Sequence, residues 1–213
     1  MPLDFKHLVD KLKTVLSQQL PGSKAHEELI PKGRKLLSPK SAKNQEIKLG
    51  SVAIILYIKH DDVHFILIER TKYDGVHSGQ IALPGGKTDP EDKDNFDTAI
   101  RETAEEIGIQ LKHENVLGSL TPLFIPPSNF LVSPIVFYLE EIPFFIQNKK
   151  EVAKIIEYPL TKFLHEKIYE GEFYSSSNNQ STLAPYFSID ENKMWGATAM
   201  ILNELRWIIR ELK

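Results

Sequence analysis

Apolar residues recur at a helical spacing near the start of the chain. Between residues 3 and 20 they fall three or four positions apart, on one face of a helix, at Phe5, Leu8, Val9, Leu12, Val15, Leu16 and Leu20. The Pro-Gly pair at 21–22 ends this pattern. We predict a helix that packs on its own domain, with a partner-binding or membrane-surface helix as the alternative.

From Gly50 onward the spacing changes, and short apolar runs bounded by polar turns predict β-strands. SVAIILYI and VHFILIE flank the turn KHDD, and the short run QIALP ends at Pro-Gly-Gly. Further strands are predicted in VLGSLTPLFIP, FLVSPIVFYLE and YFSI. The segment AKIIEYPLTKFL begins strand-like and turns helical after its proline.

Two segments among these strands have the pattern of helices. NFDTAIRETAEEIGI has Asp94 or Asn95 as its N-cap candidate and Gly108 near its C-terminus. WGATAMILNELRWIIREL carries an apolar stripe, and we expect its Trp195 to pack the helix onto the sheet. The mixture predicts a sheet covered by helices. We divide the chain into an N-terminal helix with a basic linker, residues 1–48, and a main domain, residues 49–213.

The composition narrows the classes of function. The absence of cysteine excludes disulfides, thiolate catalysis and Cys-based metal sites. A formal net charge of -3 does not favour a nucleic-acid partner, although the Lys-rich residues 32–48 keep contact with an anionic ligand open. The longest apolar runs, such as VAIILYI, are far shorter than a membrane span. We therefore expect a cytoplasmic protein with no membrane partner.

The segment RETAEE carries three carboxylates, Glu102, Glu105 and Glu106, at positions that share a helix face. Like charges at this spacing cost roughly 0.2–0.5 kcal/mol per pair. No Lys or Arg follows any of them at the compensating i+4 position, although Arg101 can pair with Glu105. A solvated acidic face is one interpretation. A bound cation explains the cluster better, and three hard oxygen ligands suit Mg²⁺ or Mn²⁺.

Two glycines, Gly85 and Gly86, precede this helix and allow the backbone to approach a ligand closely. A glycine turn beside carboxylates can hold a metal ion that bridges phosphate oxygens, which is the usual arrangement of protein-bound magnesium. The loop and the acidic helix together therefore predict a site for a metal ion and a phosphorylated substrate.

GGKTDPEDKDNFDTAIRETAEEIGI resembles the Nudix box, whose pattern is G-x5-E-x7-R-E-U-x-E-E-x-G-U with U apolar. Gly86 matches the first glycine, and Asp92 takes the first acidic position. The remaining positions are matched by Arg101, Glu102, Glu105, Glu106, Gly108 and Ile109, with Thr103 at a usually aliphatic place. Eight residues instead of seven separate Asp92 from Arg101, a habit of the coenzyme A pyrophosphatase branch.

The segment LIERTKYDGVHSGQIALPGG is similar to a signature that precedes the box in that branch. The matching residues are Arg70, His77, Gly79, Gln80, Pro84, Gly85 and Gly86, while Leu83 replaces the usual Phe. MWGATAMIL also resembles the W-G-x-T-A segment of the branch. The resemblance covers about residues 50–213.

The resemblance implies a Nudix fold of the α+β class: an α/β/α sandwich with a mixed sheet flanked by helices, here with an N-terminal helical extension. It implies divalent-metal-dependent hydrolysis of the pyrophosphate of coenzyme A or acyl-CoA, giving 4′-phosphopantetheine and adenosine 3′,5′-bisphosphate. Mg²⁺ or Mn²⁺ would be held by Glu102, Glu105, Glu106 and the Gly86 carbonyl. Arg101 would orient Glu105.

Further roles follow from the same resemblance. Candidates for binding the substrate are Arg70, His77, Lys87 and Gly85. The general base would be a glutamate of the helix, such as Glu105 or Glu106, or a later carboxylate such as Glu140 or Glu141. Tyr73, Phe130 and Tyr138 are candidates for stacking on adenine, with core packing as the alternative for each.

Two other functions remain open. One is the same chemistry on ADP-ribose, NADH or another nucleoside diphosphate derivative. The other is a non-catalytic Nudix domain that binds a nucleotide or nucleic acid, which the three intact box glutamates disfavour. Nudix folds often dimerise, so a homodimer that uses the N-terminal helix is also open.

Overall fold

The computed structural model describes residues 4–41, 46–71, 79–175 and 180–212. The helices are α1 (Phe5–Val15), α2 (Ser23–Glu27), α3 (Asn95–Ile107), α4 (Leu160–His165) and α5 (Gly196–Glu211). The strands of the main sheet are β1 (Lys48–Lys59), β2 (Asp62–Arg70), β3 (Ile81–Ala82), β4 (Gly85–Lys87), β5 (Val116–Ser119), β6 (Leu123–Ile125), β7 (Phe130–Tyr138) and β8 (Val152–Pro159). A second sheet contains β9 (Ile168–Ser175), β10 (Gln180–Ile189) and β11 (Asn192–Trp195).

The main sheet is mixed. Its strands follow the order β3-β2-β1-β7-β5, with β4 paired to β1, β6 to β7 and β8 to β2. The β1–β7 pair is parallel, whereas β1 pairs with β2 and β4 in the antiparallel sense. The second sheet is antiparallel, in the order β11-β10-β9.

Alternating side chains of β1 supply two separate cores because successive strand residues point to opposite faces. Ala53, Ile55 and Tyr57 pack with residues of α3 and of the segment that follows it. Ile54 and Leu56 pack with α1, α4, α5 and the inner face of the second sheet. The sheet therefore lies between layers of helices, which confirms the predicted sandwich.

The N-terminal part of the described chain packs into the core that contains Ile54 and Leu56. The predicted helix is present as α1, and its apolar stripe at Leu8, Val9 and Leu12 is buried against the domain. Within the predicted basic linker, α2 packs against α5, and Ala25 and Leu29 are buried. The division of the chain at residue 48 stays a prediction.

A buried carboxylate explains why such a polar segment is ordered. Glu204 of α5 accepts hydrogen bonds from the backbone N–H of Gly22 at 3.0 Å and from the Thr121 hydroxyl at 2.6 Å. Its other oxygen lies 3.1 Å from Nε2 of His26 and 3.2 Å from the N–H of Thr121. A carboxylate this deeply buried requires such partners, and here they come from two separate parts of the chain, residues 22–26 and Thr121.

No helix in the described part of the chain is long and apolar enough to cross a bilayer.

Candidate active site

The acidic helix has well-defined ends. The Asp94 side chain accepts hydrogen bonds from the N–H groups of Phe96 at 2.8 Å and Asp97 at 2.9 Å, which confirms it as the N-cap. At the other end Gly108 has a φ of 77°, a left-handed conformation that glycine adopts without strain. Thr98, Ala99, Thr103 and Ile107 face the sheet and fix the helix rotation.

Glu106 lies at the sheet side of α3 and is only 1% exposed. One carboxylate oxygen accepts the N–H of Gly85 at 2.9 Å, and the other lies 3.4 Å from Nη1 of Arg70. Burial raises the pKa of Glu106 to about 7, against the opposing effects of the Gly85 N–H and the Arg70 charge. The carboxylate is therefore held in place but not fully neutralised by the protein.

Glu102 lies one turn earlier, directly above the backbone of the glycine loop. A Cβ on Gly86 would lie 2.4 Å from the carboxyl carbon of Glu102, so a larger residue there would displace this carboxylate. Burial raises the pKa of Glu102, and the guanidinium of Arg101 opposes this effect. The carbonyl of Gly86, predicted as a further metal ligand, belongs to the same β4 segment.

Arg101 holds the acidic groups around it in fixed positions. Its Nε and Nη2 donate to the two oxygens of Asp92 at 3.0 and 2.9 Å, and Nη2 also donates to the Lys87 carbonyl at 3.0 Å. Nη1 donates to Glu102 at 2.9 Å and to Glu105 at 3.3 Å. The paired guanidinium lowers the pKa of Asp92 to about 2. Arg101 therefore contacts Glu102 more closely than Glu105.

The three box carboxylates do not share one environment, although their spacing predicts one helix face. The side chain of Glu105 is 56% exposed and contacts Arg101, whereas Glu106 is buried beneath the helix. Glu105 and Glu106 are adjacent in the helix, so their side chains point in different directions, Glu106 toward the sheet and Glu105 toward the solvent. The structure thus brings Glu102 and Glu106 to the glycine loop and leaves Glu105 at its outer edge.

The residues predicted to bind substrate are divided between the site and its surroundings. Arg70, at the end of β2, lies beside Glu106, and Lys87 is exposed at the end of β4. The N–H of Gly85 is used by Glu106. His77 and Tyr73 lie outside the described residues. Phe130 and Tyr138 lie under the ammonium groups of Lys48 and Lys13, at 5.6 and 5.0 Å from the ring centroids.

A model of the NUDIX domain family matches residues 48–174 of the chain. The chain belongs to the Nudix hydrolase family. It is therefore an enzyme, a Nudix pyrophosphohydrolase that acts on small nucleotide substrates, and enzymes of this family generally use divalent metal ions.

Relatives and solved structures agree with this assignment. The chain is 35% identical over 141 residues to an uncharacterized Nudix hydrolase NudL of Yersinia enterocolitica, a match that covers 66% of this chain and 71% of that protein. NudL of Photorhabdus laumondii is 39% identical over 129 residues, covering 61% and 68%. The MutT protein of Methanosarcina mazei Go1 has a TM-score of 0.53 at 18% identity, covering 81% of this chain and 99% of that one. A MutT/nudix family protein of Enterococcus faecalis has a TM-score of 0.52 at 15% identity, covering 92% and 71%. The two structures show that the fold is shared.

The Nudix carboxylates fit a hard divalent ion, although the site is not preassembled. Within the described ranges, no group of three or more acidic or histidine side chains is already arranged as a metal centre, because Arg101 lies among Asp92, Glu102 and Glu105. Glu102 and Glu106 are different: burial raises the pKa of both. A divalent ion between them would remove this penalty, so these two are the ligands that fit the ion best.

One acidic residue near the Nudix site was missed by the sequence analysis. The charge of Glu151, in the turn before β8, raises the pKa of both Glu102 and Glu106. Its turn is attached to the site, since the N–H of Asn148 donates to the Glu106 carbonyl and the N–H of Thr71 to the Glu151 carbonyl, each at 2.9 Å. Nothing in the local sequence QNKKEV marks this glutamate, because the fold alone brings it to α3.

Glu140 and Glu141, the later carboxylates considered from the sequence, lie elsewhere. They follow β7, where the N–H of Leu139 donates to the carbonyl of Leu56. Gly86 pairs with Ser51 of the same strand β1. Five strand residues span ~17 Å, so these glutamates lie at the opposite end of β1 from the Nudix loop.

We expect the metal-free protein to lose stability as the pH rises from about 5 to about 8. The folded pKa of Glu106, about 7, lies above its ordinary value of 4.5, so the folded state binds this proton more tightly than the unfolded state. The stabilisation is complete below the unfolded pKa and is lost as the pH passes through the folded one. Its full size is about 3 kcal/mol. Differential scanning calorimetry with and without Mg²⁺ measures it, and Mg²⁺ should raise Tm more at pH 8 than at pH 5.

The matched comparison for this pH dependence is Glu106→Gln, which has no proton to lose. Its metal-free Tm should fall less than that of the wild type over the same pH range, and Mg²⁺ should raise it less. Identical pH profiles for the two proteins would show that Glu106 is not the group responsible.

Proposed function

We propose that this Nudix hydrolase cleaves the pyrophosphate of coenzyme A or acyl-CoA, releasing 4′-phosphopantetheine or its acyl form and adenosine 3′,5′-bisphosphate. The observation that carries the proposal is that residues of the upstream signature lie beside the glutamates of the Nudix box. The N–H of Arg70 donates to the Gln80 carbonyl at 3.0 Å, and the Arg70 guanidinium lies beside Glu106. Of the residues that resemble the coenzyme A branch, Arg70, Gly85 and Gly86 therefore lie beside the carboxylates.

Each side chain has a distinct task in this reaction. Glu102 and Glu106 would hold the divalent ion, which when bound neutralises the diphosphate and lowers the pKa of a bound water. Arg101 fixes the orientation of Glu102 through their 2.9 Å contact. The Arg70 guanidinium is suited to two phosphate oxygens at once. These groups orient the diphosphate for attack by water on one phosphorus, and the other phosphate leaves with the electrons of the broken P–O bond.

We assign the general base to Glu151. A base must reach the proton of the attacking water, and Glu151 is a carboxylate in the turn whose Asn148 N–H donates to the Glu106 carbonyl at 2.9 Å. It would accept the water proton as the oxygen bonds to phosphorus. Glu105 is less suited to this task because its carboxylate is paired with Arg101 at the outer edge of the site.

The change Glu151→Gln should lower kcat by about a hundredfold, the ordinary contribution of a general base, and change KM little. The control is Glu140→Gln, which removes the same charge at the other end of β1 and should leave kcat unchanged. Steady-state kinetics over a range of pH measures both, and the acidic limb of the kcat profile should disappear in Glu151→Gln. Equal kcat values for the two variants would exclude Glu151 as the base.

A panel of substrates tests the proposed activity. Coenzyme A, acetyl-CoA, ADP-ribose and NADH are incubated with the protein and Mg²⁺ or Mn²⁺, and the products are identified by mass spectrometry. We expect 4′-phosphopantetheine and adenosine 3′,5′-bisphosphate from coenzyme A. Cleavage of ADP-ribose or NADH with coenzyme A intact would refute the substrate assignment. Nucleotide binding without any cleavage would refute the proposed hydrolysis.

A further inference from the structure

The outer face of the second sheet carries a row of aromatic rings. Phe187, Ile189 and Met194 point into the core, so their neighbours along the strands point outward. The ring centroids are 5.7 Å apart for Tyr169 and Tyr186, 5.9 Å for Tyr186 and Phe173, and 4.3 Å for Phe173 and Trp195. We call Tyr169, Tyr186, Phe173 and Trp195 the aromatic platform.

The platform remains accessible to a ligand. Tyr169 is 43% exposed, and the other three rings are half-buried. Gly171 contributes to this shape, because a Cβ at that position would lie 2.9 Å from the ring of Tyr186. Four rings partly open to solvent on one sheet face form a surface on which another flat ring system can stack.

The charges around the platform are positive. The ammonium group of Lys193 lies 5.1 Å from the ring centroid of Tyr186 and 5.9 Å from that of Phe173. Glu170 and Glu172 alternate with the ring positions of β9, so within the described residues of these strands the carboxylates lie on the other face or at the turn. The platform is therefore suited to a flat ligand that carries negative charge.

A second basic element lies beside the same strand. The N–H of Lys32 donates to the carbonyl of Leu183 in β10 at 2.8 Å, which fixes the start of the Lys-rich segment next to the platform. Lys32, Arg34 and Lys35 are exposed there. This contact gives the basic segment a position that its sequence alone did not supply.

The sheet that carries the platform contacts the strand that leads to the Nudix loop. Strand β11, which carries Lys193 and Trp195, packs against β3. The chain continues from β3 through Leu83 and Pro84 to the glycines that approach Glu102 and Glu106. The five Cα-to-Cα steps from Ile81 to Gly86 span at most ~18 Å. The edge strand of the platform sheet is thus connected, through its contact with β3, to the loop that approaches the carboxylates.

We propose that the aromatic platform binds the adenine base of the nucleotide substrate and that Lys193 binds the phosphate on its ribose. This inference rests on the proposed function, since it names where the nucleoside half of that substrate lies. Bases stack on aromatic side chains through their π-faces, and an ammonium group binds phosphate as a point charge. Adenosine 3′,5′-bisphosphate combines both features, and 5′-AMP lacks the 3′-phosphate.

Isothermal titration of the full chain with adenosine 3′,5′-bisphosphate tests the platform without requiring catalysis. The change Tyr169→Leu should weaken binding about tenfold, whereas Tyr169→Phe, which keeps the ring, should bind like the wild type. The control is Tyr174→Leu: Tyr174 is 67% exposed on the same strand but on its other face. Thermal melting of each variant establishes that it is folded. Wild-type affinity in Tyr169→Leu would overturn the proposal.

The proposed role of Lys193 is tested by comparing how tightly two ligands bind. The change Lys193→Gln should weaken binding of adenosine 3′,5′-bisphosphate about fivefold and leave binding of 5′-AMP unchanged, with Lys167→Gln as the control for lost surface charge. Equal weakening for both ligands would overturn the assignment to the ribose phosphate. Failure of this proposal is separable from failure of the proposed function: coenzyme A cleavage by all platform variants with wild-type KM would overturn the platform alone.

Two other occupants are distinguished in the same experiments. A dimer that Tyr169→Leu converts to a monomer in size-exclusion chromatography would show that a second copy covers the platform. Tighter binding of a single-stranded oligonucleotide than of adenosine 3′,5′-bisphosphate would identify a nucleic-acid surface. Either result overturns the proposal.

Discussion

The change Glu106→Gln should lower kcat for the cleaved nucleotide by about a thousandfold while the protein stays folded. Glutamine keeps the shape of the side chain but removes the anionic oxygen that would hold a divalent ion at the diphosphate. A loss of this size corresponds to about 4 kcal/mol of transition-state stabilisation. Folding should not suffer, because burial already favours the neutral form of this group. Steady-state kinetics with saturating Mg²⁺ and a melting curve measure the two effects.

The control for this experiment is Glu91→Gln, which removes a carboxylate at an exposed position of the loop before α3. Its kcat should stay within about twofold of the wild type, since a solvent-exposed charge is screened. If Glu106→Gln keeps more than a tenth of the wild-type kcat, Glu106 does not hold the ion, and the assignment of the metal to Glu102 and Glu106 fails.

Gly85→Ala should destabilise the protein by about 3–5 kcal/mol, the combined order of backbone strain and overpacking. Gly85 has a φ of 148°, and a Cβ there would lie 2.3 Å from the Ser51 carbonyl oxygen and 2.6 Å from the Cα of Val52. Both are backbone atoms of β1, so they cannot move aside without breaking strand pairing. Urea denaturation at equilibrium measures the loss as a shift of the midpoint.

Gly33→Ala separates backbone strain from collision. Gly33 also has a positive φ, 80°, but a Cβ there would meet nothing within 4 Å. Its cost should be about 1 kcal/mol, the strain of an ordinary residue in the left-handed region. If the two substitutions shift the urea midpoint equally, the close approach of Gly85 to β1 does not restrict this position.

The sequence was sufficient for the elements whose patterns are local. The apolar runs of β1 and β2, the stripe of α1 and the caps of α3 were all predicted, because each depends on neighbours in sequence. β9 and β11 were not. The first contains Gly171 and two glutamates, which weaken any strand pattern, and the second has only four residues. Both are strands because β10 lies between them.

The acidic site was only partly predictable for a related reason. Helical periodicity gives the angle between side chains but not the direction of the sheet, so it did not separate buried Glu106 from exposed Glu105. Glu151 approaches α3 only through the turn that joins β7 to β8. Trp195 was expected to pack the last helix; it precedes α5, and its ring stacks on Phe173. Long-range contacts decide all three positions.

The buried Glu204 has a consequence for how the chain is made. Its partners Gly22, His26 and Thr121 are all synthesised well before it. On the ribosome, where residues emerge at about 5–20 per second, the segment that contains Gly22 and His26 waits roughly ten seconds or more for the carboxylate that orders it. The N-terminal segment is therefore among the last parts of the domain to dock during synthesis, and until then its backbone is open to proteases and chaperones.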